Sequence, residues 1–301
     1  MSDPFRLRRA TADDSRRAFD VFLPAIRDLA DRLNQPWEVD PDAHWARTRD
    51  LYEHLAATAA EWWMADDLET GEPIGYARSI QRGGLFELTE FFVRPNRQAA
   101  GVGAALLERA FPEGRGDVRA IIATTDVRAQ ARYYRAGTVA RFPIVALVGG
   151  PGTESAMPSD VDVVRLTGDV AELDAVRRID AAVLEFDRGD ELDWLVDRRE
   201  GYLYLRNGEP VGFGFVARGA TGPVAALEAC DQPAILTHLL ARSAALGSDE
   251  ASFEVPMVNS VAVTHLLARG FRMDPFFTFL MSSRPFGRFD RYIGFSPPFV
   301  L

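Results

Sequence analysis

Residues 92–107 read FVRPNRQAAGVGAALL, and their types and spacing point to anion binding. An apolar, strand-like run (Phe91, Phe92, Val93) meets Pro95 and then a corner of small residues, Gln98-Ala99-Ala100-Gly101-Val102-Gly103, before an apolar helical pattern begins. The first amides of a helix have no partner within it, and small side chains let an anion approach them. The helix dipole adds to the attraction, so phosphate is the favoured ligand. A dinucleotide fingerprint fits poorly, because G-x-G-x-x-L lacks the third glycine and no ribose-binding acid follows at the expected strand end. With the corner taken alone, a tight turn whose glycines serve only packing is the competing reading.

Composition removes most other chemistries. The 34 basic residues are all arginine, so there is neither a Schiff-base lysine nor a P-loop lysine. His44, His54, His238 and His265 are scattered without an H-E-x-x-H, and Cys230 stands alone; neither a metal centre nor a disulfide framework is expected. G-x-S-x-G is absent, which argues against a serine hydrolase. With a net charge of −10 and no basic block, nucleic acid is not an expected partner. MSDPFRLRR does not open a signal peptide and no run of apolar residues is long enough to span a bilayer, so the expectation is a cytoplasmic protein with no membrane partner.

The elements that must position the corner can be read in outline. Helical patterns cover Ala12–Asp31 and Asp42–Ala60. WWMADD (62–67) and IGYARSIQR (74–82) read as a strand pair across LETGEP, and LFELTEFFV (85–93) as the next strand. After the corner come a helix to about Phe111, the strand VRAIIATT (118–125) and a helix from Asp126 to Ala136. The stretch LVGGPGTESAMPSD (147–160) has the composition of a linker and divides the chain nearly in half. GEPIGY (71–76) recurs as GEPVGF (208–213), and YRAGT (134–138) as LARGF (267–271), as a duplicated domain would give. The expected fold is α/β: two domains in tandem, each a mixed, mainly antiparallel sheet flanked by helices, over 1–147 and 161–301 with a linker at 148–160.

Val93-Arg-Pro-x-x-Gln98-x-x-Gly101-x-Gly103-x-x-Leu106-Leu107 resembles the acetyl-CoA motif of the GCN5-related N-acetyltransferase (GNAT) family, and Ala131-x-Tyr133-x-x-x-Gly137 is similar to that family's second signature. The resemblance implies that the amides from Gln98 through Ala99, Ala100, Gly101 and Val102 to Gly103 hold the CoA pyrophosphate. It also implies that the strand end at Phe91 and Val93 pairs with the pantetheine arm. Tyr133 sits where the family places the acid that protonates the departing thiolate, and Tyr134 would take its place if the helix register differed by one. Two carboxylates compete for the base. Glu87 lies where some members keep a catalytic glutamate, and Glu90 fits a T-E-x-x-V pattern; spaced by an odd number along one strand, they are expected on opposite faces. A water chain with both acids structural is the alternative. Arg97, Arg132 and Arg135 fall near the expected CoA adenosine, and Trp37, Trp45, Tyr52, Trp62 and Trp63 are candidates for the acceptor pocket or for core.

The second half lacks the corner. ATGPVAALEACDQPAILTHLL (220–240) carries Asp231 and Pro233 at the helix start, and Leu266 replaces the tyrosine, so this half resembles a degenerate copy. One reading has the apolar faces of this half cover the first domain, with the tail RYIGFSPPFVL across the interface and Leu301 as a second candidate base; the competing reading is a tail packed for stability. The implied activity is transfer of acetyl from acetyl-CoA to a small-molecule primary amine by direct attack, in the first domain and without metal. The alternative is an acyl-CoA sensor or interaction module without turnover. The sequence leaves the acceptor, the acyl length and the oligomeric state open.

Overall fold

The computed structural model describes residues 4–98, 101–152 and 160–295. Grouped by contact, they form two compact units, Met1–Val139 with Met281–Ser283, and Ala140–Leu280 with Arg284–Leu301.

The first unit begins with β1 (Phe5–Arg9), α1 (Ser15–Arg32) and α2 (Pro41–Ala57). Asp40 caps α2 by accepting from the Ala43 amide at 2.7 Å, with Pro41 in the first turn where its missing N–H costs nothing. The helix stops short of the expected Ala60, because β2 (Ala59–Asp67) begins there and Ala59 already opposes Ile80. β3 (Pro73–Arg82) and β4 (Leu85–Val93) complete an antiparallel run from β1 to β4. α3 (Val102–Ala110) then leads to β5 (Val118–Thr124), which lies parallel to β4, and α4 (Val127–Arg135) follows.

Helices cover both faces of this sheet. α1 and α2 lie on one side, where Phe22 meets Phe92 at 5.0 Å between ring centroids and the Tyr52 carbonyl accepts from Arg78 Nη1 at 3.1 Å. α3 and α4 lie on the other, where the Ala110 carbonyl accepts from Ser79 Oγ at 2.5 Å and Tyr133 meets Phe91.

In the second unit β6 (Val139–Gly149) is followed by β7 (Val161–Arg165), α5 (Val170–Leu184), α6 (Asp190–Val196), β8 (Glu200–Arg206), β9 (Glu209–Ala217) and β10 (Ala220–Ala226). Next come α7 (Gln232–Ala245), β11 (Ala251–Pro256), α8 (Ser260–Ala268), β12 (Arg272–Ser282) and the two-residue β13 (Tyr292–Ile293). One antiparallel sheet has the order β13-β10-β9-β8-β7. The contact boundary falls at Val139/Ala140, and the later part of β6 pairs with β11, from Gly149↔Ala251 to Ile144↔Pro256.

The repeated sequences occupy repeated places. In GEPIGY and GEPVGF the second glycine makes room for the helix after the following strand. A Cβ on Gly75 would lie 3.0 Å from Leu106 of α3, and one on Gly212 would lie 2.5 Å from Ile235 of α7. In YRAGT and LARGF, Gly137 and Gly270 end α4 and α8 with φ of 82° and 85°, a conformation that favours glycine. Two copies of one α/β arrangement, each a mainly antiparallel sheet flanked by helices, account for the order of elements.

Candidate active site

β4 and β5 run together only at their start. Leu85, Phe86, Glu87 and Leu88 oppose Val118, Arg119, Ala120 and Ile121. Beyond that point β4 continues to Val93 and β5 to Thr124 with no further pair among the described residues, so the strands part. The gap exposes a strand edge whose amides and carbonyls need partners, as an extended ligand would supply.

The glycine corner stands beside this gap. Gly101 precedes α3 with φ 81°, and a Cβ there would meet nothing within 4 Å. Its conformation, rather than crowding, calls for glycine. Gly103 differs, since its Cβ would lie 3.2 Å from Phe91 Cζ and 3.6 Å from Arg132 Nε. Packing of α3 on β4 thus explains the second glycine. The first-turn amides of Val102 and Gly103 have no acceptor within the helix. Gln98 ties the corner to the strand end by donating from Nε2 to the Val93 carbonyl at 3.3 Å. Ala99 and Ala100 lie outside the described residues.

Tyr133 is buried on the sheet side of α4, its ring centroid 6.1 Å from that of Phe91, whereas Tyr134 is 50% exposed. The Thr138 amide and hydroxyl fix its backbone by donating to the Tyr133 carbonyl at 3.1 and 2.9 Å. Burial, reinforced by the Asp126 carboxylate and opposed by Arg132, holds the phenol well above the ordinary tyrosine value. Asp126 caps α4 through the Arg128 amide at 2.9 Å. Burial works to raise its pKa, but hydrogen bonds from Arg128, and then Arg32, outweigh burial and bring the carboxyl down to about 2.

The two glutamates share a face, contrary to the expectation from spacing. Glu87 opposes Ile80 and Leu88 opposes Ser79, but Glu90 opposes Arg78. Thr89 is therefore an extra residue, a β-bulge that resets the alternation, and its hydroxyl donates to the Arg78 carbonyl at 3.0 Å. Both acids are buried on the α1/α2 side.

Glu90 is bound by its neighbours. Arg78 donates from Nε at 2.6 Å and from Nη2, and the Tyr76 hydroxyl donates to the other oxygen at 2.8 Å. The Arg78 guanidinium lies 4.7 Å from the Trp62 ring centre and 5.5 Å from that of Tyr52. Burial first, and then the negative Glu90, raise the Tyr52 and Tyr76 phenols well above their ordinary values. Sequence reasoning did not single out Arg78 or Tyr76. The alternation Tyr76, Arg78, Ile80 placed them on one face, but their partner depended on the bulge.

The remaining candidates divide. Arg97 pairs with Asp67 at 2.6 Å, Arg132 lies against Gly103, and Arg135 is exposed. Trp37 packs edge-on to Phe22 and Trp45 tilts against Phe19, while Trp63 donates from Nε1 to Glu61 at 3.0 Å. Among the described residues, no group of three or more His, Cys, Asp or Glu is placed to hold a metal ion, and no helix is long and apolar enough to cross a membrane.

The parted strands, the start of α3 and the buried Tyr133 meet around Phe91. Residues 23–138 match the family model described as Acetyltransferase (GNAT) family, a family whose chemistry is acyl transfer. The whole chain follows the fold of solved proteins of this kind. A candidate acetyltransferase from Pyrococcus horikoshii is 18% identical with a TM-score of 0.73, over 97% of this chain and 94% of that one. A GCN5-related N-acetyltransferase from Sphaerobacter thermophilus is 16% identical with a TM-score of 0.60, over 95% and 98%. A tandem GNAT protein from the clavulanic acid biosynthesis pathway is 13% identical with a TM-score of 0.58, over 93% and 99%. At these identities the likeness concerns the fold. No curated protein matches the sequence.

Proposed function

We propose that the first domain transfers an acetyl group from acetyl-CoA to a small-molecule primary amine by direct attack. The parting of β4 and β5 after Leu88 and Ile121, beside a helix start that faces open space at Gly101, is the observation that carries this reading. The donor fits these residues: the α3 amides suit its pyrophosphate, and the unpaired edge of Thr89–Val93 suits the amide groups of its arm. Arg132, against Gly103, adds positive charge at the corner.

In the reaction the amine nitrogen attacks the thioester carbon, the carbon–sulfur bond breaks, and the sulfur leaves as a thiolate. Tyr133 keeps its proton at neutral pH, since its pKa is raised, and gives it to that thiolate. The proton lost by the amine passes to Glu87, directly or through water. Glu90, held by Arg78 and Tyr76, is assigned to the framework instead. Glu87→Gln should then lower kcat by about 10²-fold or more with donor affinity unchanged, measured by thiol release.

The direct test is calorimetric titration of acetyl-CoA into the wild type and Gly101→Glu, followed by thiol release with a panel of amines. The Gly101→Glu side chain would enter open space rather than strike Phe91, and Gly101→Ala, which imposes the same backbone strain at φ 81° without the charge, is its control. A carboxylate at that helix start should weaken donor binding at least about tenfold. Tight binding without thiol release from any amine would favour the sensor, and absence of binding in the wild type would end the acyltransferase reading.

A further inference from the structure

In the second unit, β10, β11, α7 and α8 stand where β4, β5, α3 and α4 stand in the first. The corresponding strand gap is filled. β10 and β11 are joined near one end, where Thr221 Oγ1 donates to the Ser252 carbonyl. Further along, β13 enters between them. Ile293 and Tyr292 pair antiparallel with Val224 and Ala225 of β10, and the Gly294 amide donates to the Glu254 carbonyl of β11 at 3.0 Å.

The fit has been built from both sides. Asn259, which caps α8 through the Ala262 amide, donates from Nδ2 to the Tyr292 carbonyl at 3.1 Å. A Cβ on Gly222 would come within 2.2 Å of the Gly294 carbonyl oxygen, so a close approach of two backbones requires glycine there. Tyr292 and Ile293 are wholly buried, and Ile293 belongs to the hydrophobic core of this unit with Val224, Phe253 and Val255. The helix start also differs in chemistry: the buried Asp231 carboxylate, paired with Arg206 Nη2 at 2.7 Å, precedes α7.

We infer that the chain's own segment Tyr292–Gly294 closes the cofactor gap of the second domain, supplying the backbone hydrogen bonds that an extended donor arm would make. Each chain therefore takes one acyl-CoA, and the second domain is completed by its own strand. The stoichiometry rests on the acyltransferase reading of the first domain; the closure does not.

Hydrogen exchange on the full chain, with and without saturating acetyl-CoA, is paired with calorimetric stoichiometry. Amides across 224–225 and 292–294 should exchange slowly and at the same rate in both conditions, with one acetyl-CoA bound per chain. Gly294→Pro, which removes the amide donated to Glu254, should speed exchange across both segments at least about tenfold while the first unit is unchanged. Exchange across 292–294 accelerated by acetyl-CoA, two molecules bound per chain, or rapid exchange in the wild type would each overturn the inference. Slow exchange with no acetyl-CoA bound would leave the closure standing and remove the acyltransferase reading alone.

Discussion

Tyr133→Phe is expected to lower kcat for acyl transfer by roughly 10²- to 10⁴-fold, the range of general acid catalysis, while acetyl-CoA binds as before. Phenylalanine keeps the buried ring against Phe91 and leaves the Thr138 hydrogen bonds to the backbone carbonyl intact, so only the proton donor is lost. The acid is weaker than the thiol it must form. A free thiol titrates near about 8.5, below even an ordinary tyrosine, so transfer from the phenol to the thiolate depends on the reaction's own driving force. With burial raising its pKa further, the tyrosine remains protonated throughout the neutral range. The wild-type rate should therefore show no loss of the acid as pH rises from about 7 to 9. A variant that keeps wild-type turnover would remove Tyr133 from the mechanism; Tyr134, on the exposed side of α4, offers no replacement.

A second large effect is expected in stability. Arg78→Met leaves the Glu90 carboxylate buried with its cation removed, and the loss should be about 3–5 kcal/mol. Glu90→Leu alone should cost a similar amount by stranding Arg78, whereas the double variant should recover most of the loss, since apolar pairs of similar size often replace buried ion pairs without penalty. Denaturant unfolding followed by tryptophan fluorescence suits the measurement, because Trp37, Trp45, Trp62 and Trp63 all lie in the first unit and only Trp194 in the second. Losses that simply add in the double variant would show that the two side chains act independently.

Much of this architecture was legible because it is local. The strand pair across LETGEP, the left-handed glycine before α3 and the repeated GEPxG carry their information within a few residues. The Tyr133 side of α4 followed from the same local register. What escaped depends on distant pairings. LFELTEFFV shows no glycine or proline to mark a bulge, so Thr89 passes for an ordinary member of an alternating strand. Without that bulge, the contact of Glu90 with Arg78 cannot be deduced from spacing. The pairing of β6 with β11, more than a hundred residues away in sequence, was likewise invisible, and so was the entry of Tyr292 and Ile293 beside β10. The described part of the tail lies inside the second unit's own gap, and Leu301 lies outside the described residues.

The extra residue in β4 also bears on how such sequences are compared. Upstream of Thr89 the strand keeps step with β3 in one phase, and downstream in the other, so the wall each side chain faces depends on a count of residues as well as on their types. An alignment that closes this strand over a homologue lacking the extra residue would exchange the α1/α2 and α3/α4 faces from Glu90 to Val93. It would assign the α4-facing role of Phe91 to its neighbour, which packs on α1. Transfer of residue roles along this strand is therefore reliable only after the bulge has been placed.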